Sequence, residues 1–248
     1  VLDLGPWLDS VQDPRAGRPR SRPRRDAGGH LAAQVTTVTL QQAVDRAGRL
    51  LGSGRRLLGI AGAPGAGKSV LAEALVAALG PRAVLVAMDG FHLDDRVLRA
   101  HGSWERKGAP DTFDADGYLA LLQRLRTAER PVYAPLFDRG TEQSVAGAVE
   151  VGPEVELVVT EGNYLLLDRD PWSQVGGLLD ECWFLAPPED VRATRLVERH
   201  RRHGRGEDEA RDRASGSDQR NAELVLPTGA RADWRLTVAD LGAAVGPG

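Results

Sequence analysis

Between an apolar run, "RRLLGIA" (55–61), and a helical pattern, "KSVLAEALVAALG" (68–80), stands the segment Gly62-Ala63-Pro64-Gly65-Ala66-Gly67-Lys68-Ser69. It has the form G-x-x-x-x-G-K-[ST], with a strand expected before it and a helix after it. Glycines 62, 65 and 67 let the backbone curl until its N–H groups converge on phosphate oxygens, and the start of the helix adds the positive end of its dipole. Lys68 is expected to reach the β- and γ-phosphates, and the Ser69 hydroxyl to hold Mg²⁺. Residues 62–69, with Val70 on the first helical turn, form the expected cradle for ATP. A glycine-rich turn that matched by chance would not bring both flanking elements with it.

Further short apolar runs follow at 83–87 ("AVLVA"), 155–160 ("VELVVT"), 182–186 ("CWFLA") and 234–239 ("WRLTVA"). Helical patterns at about 115–128, 189–202 and 218–226 separate them. Runs of this length interleaved with helices point to a parallel sheet covered on both faces. Two segments, 132–138 and 145–151, lie close together and alternate in polarity, so an antiparallel hairpin outside that sheet is expected. Ordered structure is expected from Thr39, where "TLQQ" has the form of a capping box.

Ligands of such folds sit beyond the carboxyl ends of the strands. "LVAMDGFHLDD" (85–95) ends an apolar stretch at Asp89, and "VVTEGNYLLL" (158–167) ends another at Glu161. Each acid alone could be a turn or capping residue. Together on one rim with a phosphate-binding loop, they point to chemistry. Asp89 is placed to accept a proton from a hydroxyl that attacks the γ-phosphate, and Glu161 to hold Mg²⁺ directly or through water.

Composition removes other classes. Across 248 residues the formal net charge is -3, which argues against general attraction to nucleic acid or an anionic membrane surface. No apolar run approaches the roughly 18 residues that span a bilayer, and no segment reads as a secretory leader. The single cysteine, Cys182, lies in an apolar run and excludes an internal disulfide framework, so a cytoplasmic location is expected. Arginine outnumbers lysine 30 to two, the lysines being Lys68 and Lys107. Residues 1–33, rich in Arg, Pro and Gly, are expected to form a solvated, mobile tail, and 34–248 a single domain around the phosphate-binding loop.

"GIAGAPGAGKS", "AMDGFH", "RKGAPDTFD", "YAPLFD" and "VVTEGNYLLL" occur in the order seen in P-loop small-molecule kinases. Over about residues 40–240 the chain resembles the phosphoribulokinase, uridine kinase and type I pantothenate kinase superfamily. The resemblance is greatest to its bacterial nucleoside kinase-like, fructose-transport-system kinase-like branch. It implies a five-stranded parallel sheet flanked by helices, a helical lid over about 199–215, and an acceptor-side insert over about 90–151. It also implies Asp89 as catalytic base, Glu161 as the acid near the metal, and Lys107 in the loop that closes over the acceptor. One departure stands out: where pantothenate kinases tend to carry Tyr-Ser-His, this chain has Phe137-Asp138-Arg139, so its acceptor pocket differs.

Arg192, Arg195, Arg199 and Arg202 recur three or four residues apart, on one face of the expected lid helix. Arg195 and Arg199 are expected at the phosphates, with Arg205 as a third contact beyond the helix. A solvated face is the alternative for any one of them. On the acceptor side, His92, Lys107, Tyr133 and Arg139 offer donors and one aromatic ring. This set suits a small hydroxyl-bearing molecule such as a sugar, a nucleoside or a pantothenate-like compound. Arg139 could meet an anionic group on that acceptor, or pair with Asp138 or Glu142. No nucleic acid or membrane partner is expected, and a homodimer is one open assembly. Two rival readings remain, a GTPase or metallochaperone switch and a nucleotide-binding module without turnover. The chain has no Asn-Lys-x-Asp guanine signature, and its Asp-x-x-Gly match at Asp114 is better explained as a helix cap.

Overall fold

The computed structural model describes residues 34–52, 54–202, 206–208 and 216–241. The expected tail, Arg205 and most of the expected lid segment beyond residue 202 lie outside them.

The central sheet holds six parallel strands in the order β1-β8-β7-β2-β6-β3. They are β1 (Thr36–Val38), β2 (Arg56–Gly62), β3 (Ala83–Leu85), β6 (Leu157–Gly162), β7 (Glu181–Leu185) and β8 (Trp234–Val238). The expectation of five strands beginning after Thr39 misses β1. That strand has only three residues and pairs at the sheet edge with Leu236–Val238 of β8, too short to carry a period of its own. β3 is also shorter than the apolar run suggests. After Leu85 only the Val86 N–H stays on the ladder, donating to the Val159 carbonyl, before a tight turn at Met88–Phe91.

Alternation along the strands explains why they read as unbroken apolar runs. Leu57, Ala61, Val158, Cys182 and Phe184 face one core. Their neighbours Leu58, Ile60, Leu157, Val159, Trp183 and Leu185 face the other. A sheet buried on both faces needs apolar side chains at both parities.

Helices α1 (Leu40–Gly48) and α2 (Lys68–Leu79) supply much of the second core through Ala43, Ala47, Leu71, Ala72 and Leu75. The capping box at Thr39 forms as the sequence suggests, with the Gln42 N–H donating to the Thr39 hydroxyl and the Thr39 N–H to Gln42 Oε1. Helices α3 (Asp95–Ala100), α4 (Ala115–Thr127) and α5 (Val175–Leu178) follow. Asp114 caps α4 by accepting from the Gly117 N–H, so the Asp-x-x-Gly match is a helix start. On the lid side are α6 (Glu189–Arg202) and α7 (Ser217–Val225). The hairpin, β4 (Val132–Asp138) and β5 (Gln143–Val151), forms its own two-stranded antiparallel sheet.

Candidate active site

The phosphate-binding loop joins β2 to α2. Gly65 and Gly67 hold positive φ values of 82° and 95°, a conformation that side chains resist. No side chain caps the first turn of α2, so its N–H groups stay available to an anion. Val70 is partly buried against the second core.

Lys68 lies 9% exposed at the start of α2. Its ammonium donates to Asn163 Oδ1 at 2.7 Å and to the Ala63 carbonyl at 3.2 Å. Burial pushes its pKa below the ordinary lysine value, while the charges of Glu161 and Asp89 oppose that shift. Next to it, the Ser69 hydroxyl donates to Glu161 Oε1 at 2.8 Å. Glu161, near the tip of β6, is 4% exposed. Burial, followed by the neighbouring charge of Asp89, raises its pKa above the usual carboxylate value, and Lys68 opposes the rise. A hydroxyl and a carboxylate at this spacing are hard oxygen donors, and that chemistry fits Mg²⁺.

Asp89 stands in the Met88–Phe91 turn, where its carbonyl accepts from the His92 N–H. Arg139 reaches it from the end of the hairpin, Nη2 donating to Asp89 Oδ2 at 3.0 Å. Gly90 makes this approach possible, because a Cβ there would collide with the Pro135 carbonyl of β4. From β5, the Ser144 hydroxyl donates to the His92 carbonyl at 3.0 Å and ties the second strand to the same turn.

A cavity opens above Asp89, and His92, Lys107, Phe113, Phe137, Arg139 and Asn163 all line it. The His92 ring stacks on Phe113 at 4.0 Å and lies 4.7 Å from Phe137. Its Nδ1 is buried with no hydrogen-bond partner among the described residues. Burial, helped by Lys107 and Arg139 and opposed by Asp89, drops its pKa from 6.5 to about 4. Lys107 donates to Asp95 Oδ1 at 2.8 Å and to the Glu142 carbonyl at 2.9 Å. Tyr133 does not join this group. It is 56% exposed, opposite Glu150, and does not line the cavity. The pairing shifts register between Ala134 and Leu136, and the hairpin ring that lines the cavity is Phe137.

On the lid side, α6 packs directly against the phosphate-binding loop. The Arg192 carbonyl and the Leu196 side chain occupy the space that a Cβ on Gly65 would need. Arg192 is almost fully buried, and Nη1 donates to the Pro64 carbonyl at 3.0 Å while Nη2 donates to Gln219 Oε1 at 2.7 Å. It therefore clamps the loop to α6 and α7 instead of facing solvent. Arg195 makes a long 3.4 Å hydrogen bond to the Ala66 carbonyl. Arg199 lines the cavity and lies 3.6 Å from Asp218 Oδ1, and the other oxygen of Asp218 meets His200 Nε2 at 2.7 Å.

Sequence reasoning missed Asn163, His200, Asp218 and Asn221, all of which line the cavity. Asn163 carried a readable signal, standing two residues after Glu161 beyond the strand tip. The others become neighbours only when α6 and α7 fold back over the loop.

No family model matches the chain. A putative uridine kinase of Schizosaccharomyces pombe is 34% identical over 183 residues, covering 69% of this chain and 78% of that protein. A pantothenate kinase of Sorangium cellulosum is 29% identical over 214 residues, covering 75% and 70%. Among solved structures, a putative fructose transport system kinase from Silicibacter sp. TM1040 superposes with a TM-score of 0.71 at 41% identity. That match covers 81% of this chain and 98% of the other.

Proposed function

Because this chain belongs to the P-loop kinase superfamily that holds uridine kinases and pantothenate kinases, we propose that it transfers the γ-phosphoryl group of ATP to a hydroxyl of a small polar molecule. One observation carries this reading: Lys68, the Ser69–Glu161 pair and Asp89 stand on one rim beside a cavity lined by polar and aromatic side chains.

In the proposed reaction the acceptor oxygen attacks the γ-phosphorus and the bond to the β,γ-bridging oxygen breaks. ADP leaves, and the hydroxyl proton passes to Asp89. Lys68 and the backbone N–H groups of residues 65 and 67–69 hold the β- and γ-phosphates in line. Ser69 and Glu161 would hold Mg²⁺, which neutralises phosphate charge when bound. Arg195 and Arg199, on the helix that covers the loop, stabilise the charge that develops during transfer. His92, Lys107, Phe137 and Arg139 bound the acceptor.

ADP release that depends on an added small acceptor tests the proposal, and Asp89→Asn provides its control. This variant is expected to bind ATP normally and to lose about 10²–10⁴ of kcat. Turnover like that of the unaltered protein would remove Asp89 from the chemistry. GTP hydrolysis independent of any acceptor would favour the switch reading.

A further inference from the structure

The hydrogen bond from Arg139 to Asp89 ties the residue read as catalytic base to a cation that the acceptor must meet. Resting on the kinase reading above, we propose that the acceptor carries an anionic group, a carboxylate or a phosphate, in addition to the hydroxyl it presents to Asp89. Arg139 is the residue that recognises that group.

Donor accounting supports the assignment. A guanidinium has five N–H donors, and Arg139 spends one, on Asp89 Oδ2. An ammonium has three, and Lys107 spends two, on Asp95 Oδ1 and the Glu142 carbonyl. Lys107 also lies 3.9 Å from Glu142 Oε2, so the unspent charged donors beside Phe137 and His92 are chiefly those of Arg139. A neutral polyol, with one acceptor oxygen per hydroxyl, would leave most of them unused. A carboxylate or phosphate presents several strong acceptor oxygens and matches the fork of an arginine.

Occupancy of the base points the same way. While Arg139 holds Asp89 Oδ2, the acceptor hydroxyl has only Oδ1 to approach. An anionic group that draws the guanidinium to itself frees the second oxygen as the hydroxyl arrives. Arg139 has room for this movement, since its side chain is 46% exposed. The backbone beneath it stays fixed, because the close seat at Gly90 and the Ser144 hydrogen bond hold the hairpin against the turn.

Calorimetric titration of the full chain, with Mg²⁺ and a non-hydrolysable ATP analogue present, tests the proposal. The probes form matched sets: glycerol, glycerate and glycerol 3-phosphate, then ribose, ribonate and ribose 5-phosphate. At least one charged member is expected to bind about 10- to 100-fold more tightly than its neutral counterpart, the span of a hydrogen bond to a charged group. Preference within each set separates a carboxylate from a phosphate. Arg139→Gln is expected to erase the gap and Arg139→Lys to keep part of it, with the analogue's Kd reporting that each variant is folded. The proposal is overturned if no charged member outbinds its neutral counterpart, or if the gap survives Arg139→Gln. The kinase reading fails separately, by the absence of acceptor-dependent ADP release with neutral and charged acceptors alike.

Discussion

Lys68 Nζ donates to Asn163 Oδ1 at 2.7 Å, so an amide just past the tip of β6 positions the ammonium of the phosphate-binding loop on β2. Burial works against the charge of that ammonium, and hydrogen-bond partners are what keep it in place. Lys68→Ala is expected to abolish ADP release, and Lys68→Arg to be nearly as poor, because a planar fork does not fit where a compact ammonium sits. Asn163→Ala is expected to lower kcat by about tenfold, the scale of one hydrogen bond to a charged group. Steady-state assays of the three variants check this. Full activity in Asn163→Ala would make the amide a bystander.

The sheet, the hairpin, the loop and both acids were legible because each rests on local pattern: apolar runs, glycine spacing and a carboxylate at a strand tip. The short edge strand at Thr36–Val38 was not, since three residues carry no period. Tyr133 was named as the ring the hairpin offers, and sequence does not display the irregularity between Ala134 and Leu136 that the folded pairing reveals. The partnership of Arg139 with Asp89 spans 50 positions and depends on the absence of a side chain at Gly90, which no window of sequence displays. Arg192 looked like Arg195 and Arg199 because helical spacing does not say which side of a helix another helix covers.

Glu161 makes stability depend on pH. Its folded pKa lies above its ordinary value of 4.5, so between the two the folded state binds more protons than the unfolded one. Stability of the nucleotide-free, metal-free protein should therefore fall as pH rises through that window. Glu161→Gln should flatten this part of the curve. Tm measured against pH for both proteins decides it, and parallel curves would refute the assignment.

His92 acts with the opposite sign. Its pKa falls from 6.5 to about 4, so the unfolded chain binds the extra proton in that interval. Its contribution to stability should be complete above 6.5 and lost as pH falls toward 4. A ring-proton NMR titration assigned with His92→Phe should give a midpoint near 4, and a midpoint at 6 or above would mean a wetter, charged imidazole in the acceptor cavity.

Arg195 and Arg199 should separate from Arg192. Arg195→Ala and Arg199→Ala are expected to lower kcat by about tenfold or more while leaving nucleotide affinity within a few-fold. Arg192→Ala removes a buried guanidinium that holds the Pro64 carbonyl and Gln219, so its main effect should be a loss of stability of about 2 kcal/mol or more. Thermal denaturation beside kinetics distinguishes them, and an Arg195 variant altered only in Tm would support a solvated face.

The hairpin shares no strand with the six-stranded sheet and meets the Asp89 turn through the glycine seat, the Ser144 hydroxyl and the Arg139 side chain. Of the side chains that line the cavity, Phe137, Arg139 and Glu142 thereby come from a piece of chain separate from the phosphate-binding loop. A transplanted β4–β5 segment that preserved Pro135 and Ser144 would change that part of the cavity lining and leave the phosphate-binding loop in place. The fold in effect keeps one wall of its cavity on a detachable flap of chain.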